Sequence, residues 1–127
     1  MKKILILGIA ILVLSMAFVG CKEEGGNGSI GVTVINNNSD ALTNIKITAI
    51  VNNNEAHVLY DSGTISIATG ATHSFTANNI SWSLIGTQIC KYYVTVGGTE
   101  RTGNLILDKD ENPNNLKISS QGWLESL

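Results

Sequence analysis

Basic charge is scarce in this chain: Lys and Arg number 8 against 10 Asp and Glu, for a formal net charge of −2. A protein so balanced has no electrostatic footprint for nucleic acid. Cysteine is scarcer still, and its two positions do not argue for a disulfide. Cys21 ends an apolar run, while Cys90 stands alone in an alternating apolar segment. A lone cysteine in such a segment is usually a small buried hydrophobe; a reactive thiol would want a basic neighbour and partial exposure. His57 and His73 are the only histidines. Zinc takes three or four ligands, and no cluster of Cys, His or carboxylate surrounds either one. Paired carboxylates, phosphate loops, dinucleotide fingerprints and Gly-x-Ser-x-Gly elbows are missing. Ser62, His57 and Asp61 are close in sequence and could be nominated for hydrolysis, but no elbow accompanies them. The expectation is a protein that is not an enzyme and needs no cofactor.

What is present begins with Met1-Lys2-Lys3, followed by an uncharged apolar run from Ile4 to Val19, broken only by Gly8 and Ser15. A short basic region, an apolar stretch and small residues in that order follow the plan of a secretory signal. The run has 16 residues, short of the roughly 20 that cross a bilayer. It is followed by Lys22-Glu23-Glu24 rather than a basic stop-transfer flank.

Phe18-Val19-Gly20-Cys21 resembles the lipobox of bacterial lipoproteins: an apolar residue, two small or aliphatic ones, then cysteine. Phe18 stands where that motif usually has Leu. The resemblance implies a diacylglyceryl group on the Cys21 thiol, cleavage after Gly20 and acylation (palmitate or a similar chain) of the freed amine. Two or more chains are needed physically, because a single one holds a protein only marginally. Residues 1–20 would then be a signal peptide. Without Lys2 and Lys3 the mature chain carries six basic and ten acidic residues, a net charge of −4. Anionic lipid would repel it weakly, so the expected membrane contact is through the N-terminal lipid alone. Lys22 rather than Asp after the cysteine implies, by the same resemblance, the outer membrane if the source has two membranes.

Residues 21–29 hold Lys-Glu-Glu-Gly-Gly-Asn-Gly-Ser after Cys21, a stretch that cannot bury apolar surface and reads as a flexible tether. Residues 30–127 are one domain, large enough for a core without staples. That body has a single proline, few charges, many Val, Ile and Thr, no internal repeat and no convincing helical period. Such a composition reads as all-β. Ile30, Val32 and Val34 alternate, as do Ile45, Ile47, Ala49 and Val51. Val58 and Tyr60 are placed on one face of a short strand, Ile65 and Ile67 inward on another, and His73, Phe75 and Ala77 along a third. Ile80–Ile85, with Trp82 and Leu84, is a strand or a loop ended by Gly86. The clearest strand is Gln88–Val96, where Cys90, Tyr92, Val94 and Val96 share the inward face and Ile89, Lys91, Tyr93 and Thr95 the outward one. Gly97-Gly98 makes a tight hairpin into a strand carrying Leu105 and Leu107. Leu116 and Ile118 form a last short strand, and Gly122-Trp123-Leu124 docks on the core or edges a sheet.

Seven or eight short strands separated by turn signals imply a single antiparallel β-sandwich. From Ile30 on, Val32–Ser39, the Ile-rich strand, the Tyr60-Asp61-Ser62-Gly63 step and the tyrosine-bearing strand resemble, as a pattern, the small immunoglobulin-like and prealbumin-like domains of bacterial surface lipoproteins. The resemblance carries no functional residues with it.

Two further features bear on function. Asp108, Asp110, Asn112 and Asn114 have the alternate-residue oxygen spacing of a calcium loop. Pro113 occupies the place of the turn glycine and Ser119 that of the closing glutamate, so a solvated turn is the preferred reading. Among the aromatics, Trp82 and Tyr92 are assigned to the core, while Tyr93 and Trp123 are the candidate contact residues. The functional expectation is a lipid-anchored, extracytoplasmic binding or envelope-assembly module whose partner is an envelope protein or glycan. The alternatives are a small hydrolase with a loop-assembled site and a purely structural envelope lipoprotein.

Overall fold

The computed structural model describes residues 26–127; the apolar leader, Cys21 and residues 22–25 lie outside the described residues. Eight strands follow in order: β1 (Gly28–Asn36), β2 (Leu42–Val51), β3 (Asn54–Asp61), β4 (Thr72–Ile80), β5 (Thr87–Val96), β6 (Thr99–Asp108), β7 (Asn114–Ile118) and β8 (Leu124–Ser126). They form two four-stranded sheets, β4-β1-β7-β8 and β3-β2-β5-β6, packed as a sandwich with no helix among the described residues. The all-β expectation holds. One refinement is needed: β7 runs parallel to β1, pairing Val34 with Leu116 and Asn36 with Ile118, while the other neighbours are antiparallel. A five-residue strand carries no sign of its direction in its alternation.

Period-two patterning accounts for the core. Val32 and Val34 from β1, Ile45, Ile47 and Ala49 from β2, and Cys90, Tyr92, Val94 and Val96 from β5 are all buried. Leu105 and Leu107 of β6, Leu116 and Ile118 of β7 and Leu124 of β8 complete the interior. Fully burying one such aliphatic side chain is worth about 1.5–3 kcal/mol, and a slip of one residue would turn a whole set outward. Tyr92 lies over Gly103 of the neighbouring strand, where a Cβ would stand 2.6 Å from its hydroxyl. Leu124 is buried and its strand edges the first sheet.

Three local assignments change. On β3 the pairing passes from Ile47–Tyr60 to Thr48–Val58, a bulge that leaves Leu59 unpaired. Leu59 is therefore buried, Val58 is exposed and Tyr60 is half-buried; Val58 and Tyr60 do not share a face. Residues 64–68 do not form a strand. Ile67 makes one bridge to Leu42, and Ile65 donates its N–H to the Thr43 carbonyl. Residues 81–86 form a loop: Trp82 is half-buried at the margin of the core and Leu84 is fully exposed.

The asparagine run at 36–38 is more than a turn. Asn36 is fully buried and its amide nitrogen donates to the carbonyls of Asp40 and Ile67 at 2.9 Å each. Asn38 donates to the carbonyls of Ser119 and Ser120 and accepts from the Asp40 N–H. Two side chains thus tie three connections together at one end of the sandwich. The first described residues lie at the other end, where Gly26 N donates to the Asn79 carbonyl at 3.2 Å. The β2–β3 turn, the 81–86 loop and the 109–113 loop lie at that same end, as the strand registers require.

Candidate functional site

The outer face of the β3-β2-β5-β6 sheet carries the densest polar constellation. Tyr93 points away from the core because Tyr92 and Val94 point into it. Its hydroxyl donates to both oxygens of Glu55 on β3 at 2.6 Å. Lys91 Nζ stands 3.4 Å from Glu55 Oε2 and 5.1 Å from the Tyr93 ring centre, and Lys46 Nζ lies 5.5 Å from the same centre. Thr48 Oγ1 donates to Glu55 Oε1 at 3.0 Å.

The hydrogen bond from Tyr93 does most to hold the Glu55 carboxyl below its ordinary range. The same bond pushes the Tyr93 phenol up. Tyr93, followed by Glu55, raises the Lys91 ammonium. All three groups keep their usual charge state at neutral pH, so the cluster presents two cations around one satisfied carboxylate. The Tyr93 ring is thus attended by two ammonium groups rather than left as a bare aromatic platform.

Beside the cluster, Ile89 and Ile106 face each other across β5 and β6 and are about half exposed, at 52% and 55%. A shallow cleft lined by Ile50, Asn53, Glu55, Ile89, Lys91 and Asn104 runs between them and the β2–β3 turn. Apolar and charged groups thus alternate across one open sheet face.

Trp123 does not join Tyr93. It precedes β8 in the other sheet, is 42% exposed, and is covered on its ring by the Arg101 guanidinium at 5.4 Å. Arg101, on β6 opposite Val94 of β5, thus links the two sheets at the sandwich margin.

In the candidate calcium loop three of the six side-chain oxygens of Asp108, Asp110, Asn112 and Asn114 accept backbone N–H groups. Asn112 Oδ1 accepts from Gly31 N at 3.1 Å and Asn114 Oδ1 from Asp108 N at 3.0 Å. Asn114 Nδ2 donates to the Asp108 and Glu111 carbonyls, and Asp108 Oδ1 accepts from Asp110 N. The two asparagines clip the β6–β7 connection to itself and to β1. Among the described residues no group of three or more His, Cys, Asp or Glu side chains is placed to share a metal ion.

Ser62, His57 and Asp61 are not assembled. Ser62 Oγ accepts from Ile45 N and donates to the Gly63 carbonyl. His57 Nε2 bonds the Asn79 carbonyl, and Asp61 accepts from Gly63 N. His73 Nε2 pairs with the Tyr60 hydroxyl at 2.8 Å, and the Tyr60 ring stacks on Phe75 at 3.8 Å, joining β3 to β4 across the sandwich margin. Cys90 is buried with its thiol pushed up to about 12 by desolvation.

Sequence reasoning put Tyr93 and Lys91 together on the outward face of β5 and missed Glu55, Thr48 and Lys46. Glu55 is 38 residues away, and only its place opposite Ile50 in the β2–β3 hairpin brings it near. Outward parity on β2 was the available signal for Lys46. Comparison of the chain with protein-family models, with curated proteins and with solved structures finds no match.

Proposed function

We propose that this chain is a lipid-anchored extracytoplasmic protein whose sandwich binds or assembles with an envelope protein through the outer face of its β3-β2-β5-β6 sheet. The anchor half of the reading is supported by the order Lys2-Lys3, apolar run, Phe18-Val19-Gly20-Cys21. The binding half is supported by one observation: the Ile89–Ile106 pair lies exposed beside the Tyr93–Glu55–Lys91 cluster. Exposed apolar area rimmed by charge is the usual composition of a protein contact, and attended aromatic rings are frequent contact anchors. A protein partner is favoured over a glycan because ammonium groups already attend the Tyr93 ring.

The experiment has two arms. Cells fed an alkyne fatty acid should label the wild-type chain and not Cys21→Ala, which should keep the precursor mass; a Cys21→Ala protein that still takes label ends the anchor reading. A photo-crosslinking residue at Tyr93 should capture one discrete envelope protein, and the same residue at Thr69 should not. Equal capture at both positions ends the binding reading.

A further inference from the structure

The loop between β4 and β5 offers an apolar tip at the end of the sandwich where the chain enters. Ser83 and Gly86 close a tight turn, with Gly86 N donating to the Ser83 carbonyl at 2.9 Å. Ser83 N donates to the Thr87 carbonyl, and Ser83 Oγ meets Thr87 Oγ1 at 2.9 Å. Lys109 N, donating to the Gly86 carbonyl at 2.8 Å, fixes the turn to the neighbouring loop. The two corner residues of this braced turn are Leu84 and Ile85. Turn corners ordinarily take Gly, Asn, Asp or Pro. Here they carry the two most exposed large hydrophobic side chains among the described residues, at 107% and 81%.

The chain entry lies against the root of the same loop. A Cβ on Gly26 would stand 2.8 Å from Ser81 Oγ, and one on Gly28 would stand 2.6 Å from the Trp82 indole nitrogen. Trp82, two positions before Leu84, therefore lies against Gly28. Between Gly26 and Cys21 there are five residue steps, which span at most about 18 Å when fully extended and about 12 Å on average as a Gly-rich coil.

We infer that the Leu84-Ile85 tip inserts into the interfacial layer of the bilayer that holds the chain, so that the sandwich stands on its membrane at two points. This rests on lipidation at Cys21, and it changes one expectation: the acidic domain is not held by lipid alone. The occupant is lipid because the tether leaves the tip no more than a short reach from the surface and because the tip itself carries no charge. Amphipathic Trp82 at its base suits the headgroup layer. Contact of this kind is apolar and should be insensitive to salt, unlike the attraction of a basic patch.

The full-length protein, processed in cells and purified in detergent, is reconstituted into phosphatidylethanolamine–phosphatidylglycerol vesicles with or without nitroxide-labelled lipid. Leu84→Cys carries an environment-sensitive fluorophore; Cys90 is buried and does not compete. The expected result is a blue-shifted emission at residue 84, quenched by a shallow nitroxide and unchanged by high salt. The same label on Ser120→Cys, at the opposite end, should be neither shifted nor quenched. Adding Ile85→Asp should lose the quenching at residue 84. The intact mass separates the two layers of the reading. A chain without acyl mass overturns the anchor and this inference together. An acylated chain whose residue-84 probe stays unquenched overturns only the inference. A blue shift that follows protein concentration and ignores the nitroxide also overturns it, assigning the tip to a protein contact.

Discussion

Cys90 gives the interior of this sandwich a dependence on alkaline pH that can be worked out in advance. The thiol is fully buried between the sheets, and desolvation pushes it from an ordinary 9.0 up to about 12 against the opposing effect of a hydrogen bond with the Leu107 backbone. A raised folded value means that the native state holds the proton more tightly than the unfolded chain. The stabilisation is therefore fully present below pH 9 and is lost as pH rises from 9 towards 12. Three units at about 1.36 kcal/mol each amount to about 4 kcal/mol across that window. At pH 10 roughly a third of it should be gone. Cys90→Ala removes one buried atom and should cost about 1 kcal/mol at pH 7; having no thiol, it escapes the alkaline loss. The two stability curves should converge and cross near pH 10. Urea melts followed by tryptophan fluorescence, from pH 7 to 10.5 under reducing conditions, measure this directly. Tyrosine and lysine ionisation affect both proteins and cancel in the difference. A wild-type-minus-variant difference that stays flat across pH 9–10.5 would refute the burial argument, as would native Cys90 reacting with a thiol reagent as fast as in denaturant.

Other consequences can be read the same way. Asn36→Ala should cost about 2–4 kcal/mol in a urea melt, because the buried Asn38 N–H and the part-buried bonds to the Asp40 and Ile67 carbonyls all lose their partner; a loss under 1 kcal/mol would mean that water replaces the side chain freely. Glu55 has a lowered carboxyl, so its contribution is present above its ordinary value and disappears as pH falls through the folded one. The stability difference between wild type and Glu55→Gln should thus be seen at pH 7 and vanish in acid, and an ultraviolet titration should show Tyr93 ionising at lower pH in the variant. Millimolar calcium should leave the melting temperature unchanged, since Asn112 and Asn114 already accept backbone N–H groups; a rise abolished by Asp108→Ala would establish the ion site. Val94→Asp places a carboxylate in a fully buried position and should leave no cooperative unfolding transition, because such a charge has nothing to pair with.

What the sequence determined by itself is everything governed by local pattern. Alternation in β1, β2 and β5 set which residues face inward, because a strand shows its faces at period two whatever it pairs with. The glycines at 97 and 98 marked their hairpin, since both take positive φ, 59° and 80°, as a two-residue turn demands. Tyr93 was legible as an outward residue for the same reason that Tyr92 was legible as core. The tertiary structure alone decided the rest. The bulge that buries Leu59 and exposes Val58 depends on how β3 meets β2, and a single strand's pattern does not record an offset in its partner. The parallel seating of β7 on β1 follows from where the β6–β7 connection lands. Burial of the Asn36 and Asn38 side chains depends on three loops meeting, with partners up to 82 residues away; read locally, asparagines say only that the chain turns. Residues 80–85 read locally as a strand or a loop, and only the Ser83–Gly86 turn shows that Leu84 and Ile85 stand at its corners with no sheet over them. Hydrophobicity in a sequence records that a side chain would gain by leaving water, and only the assembled fold shows whether the protein itself provides the place.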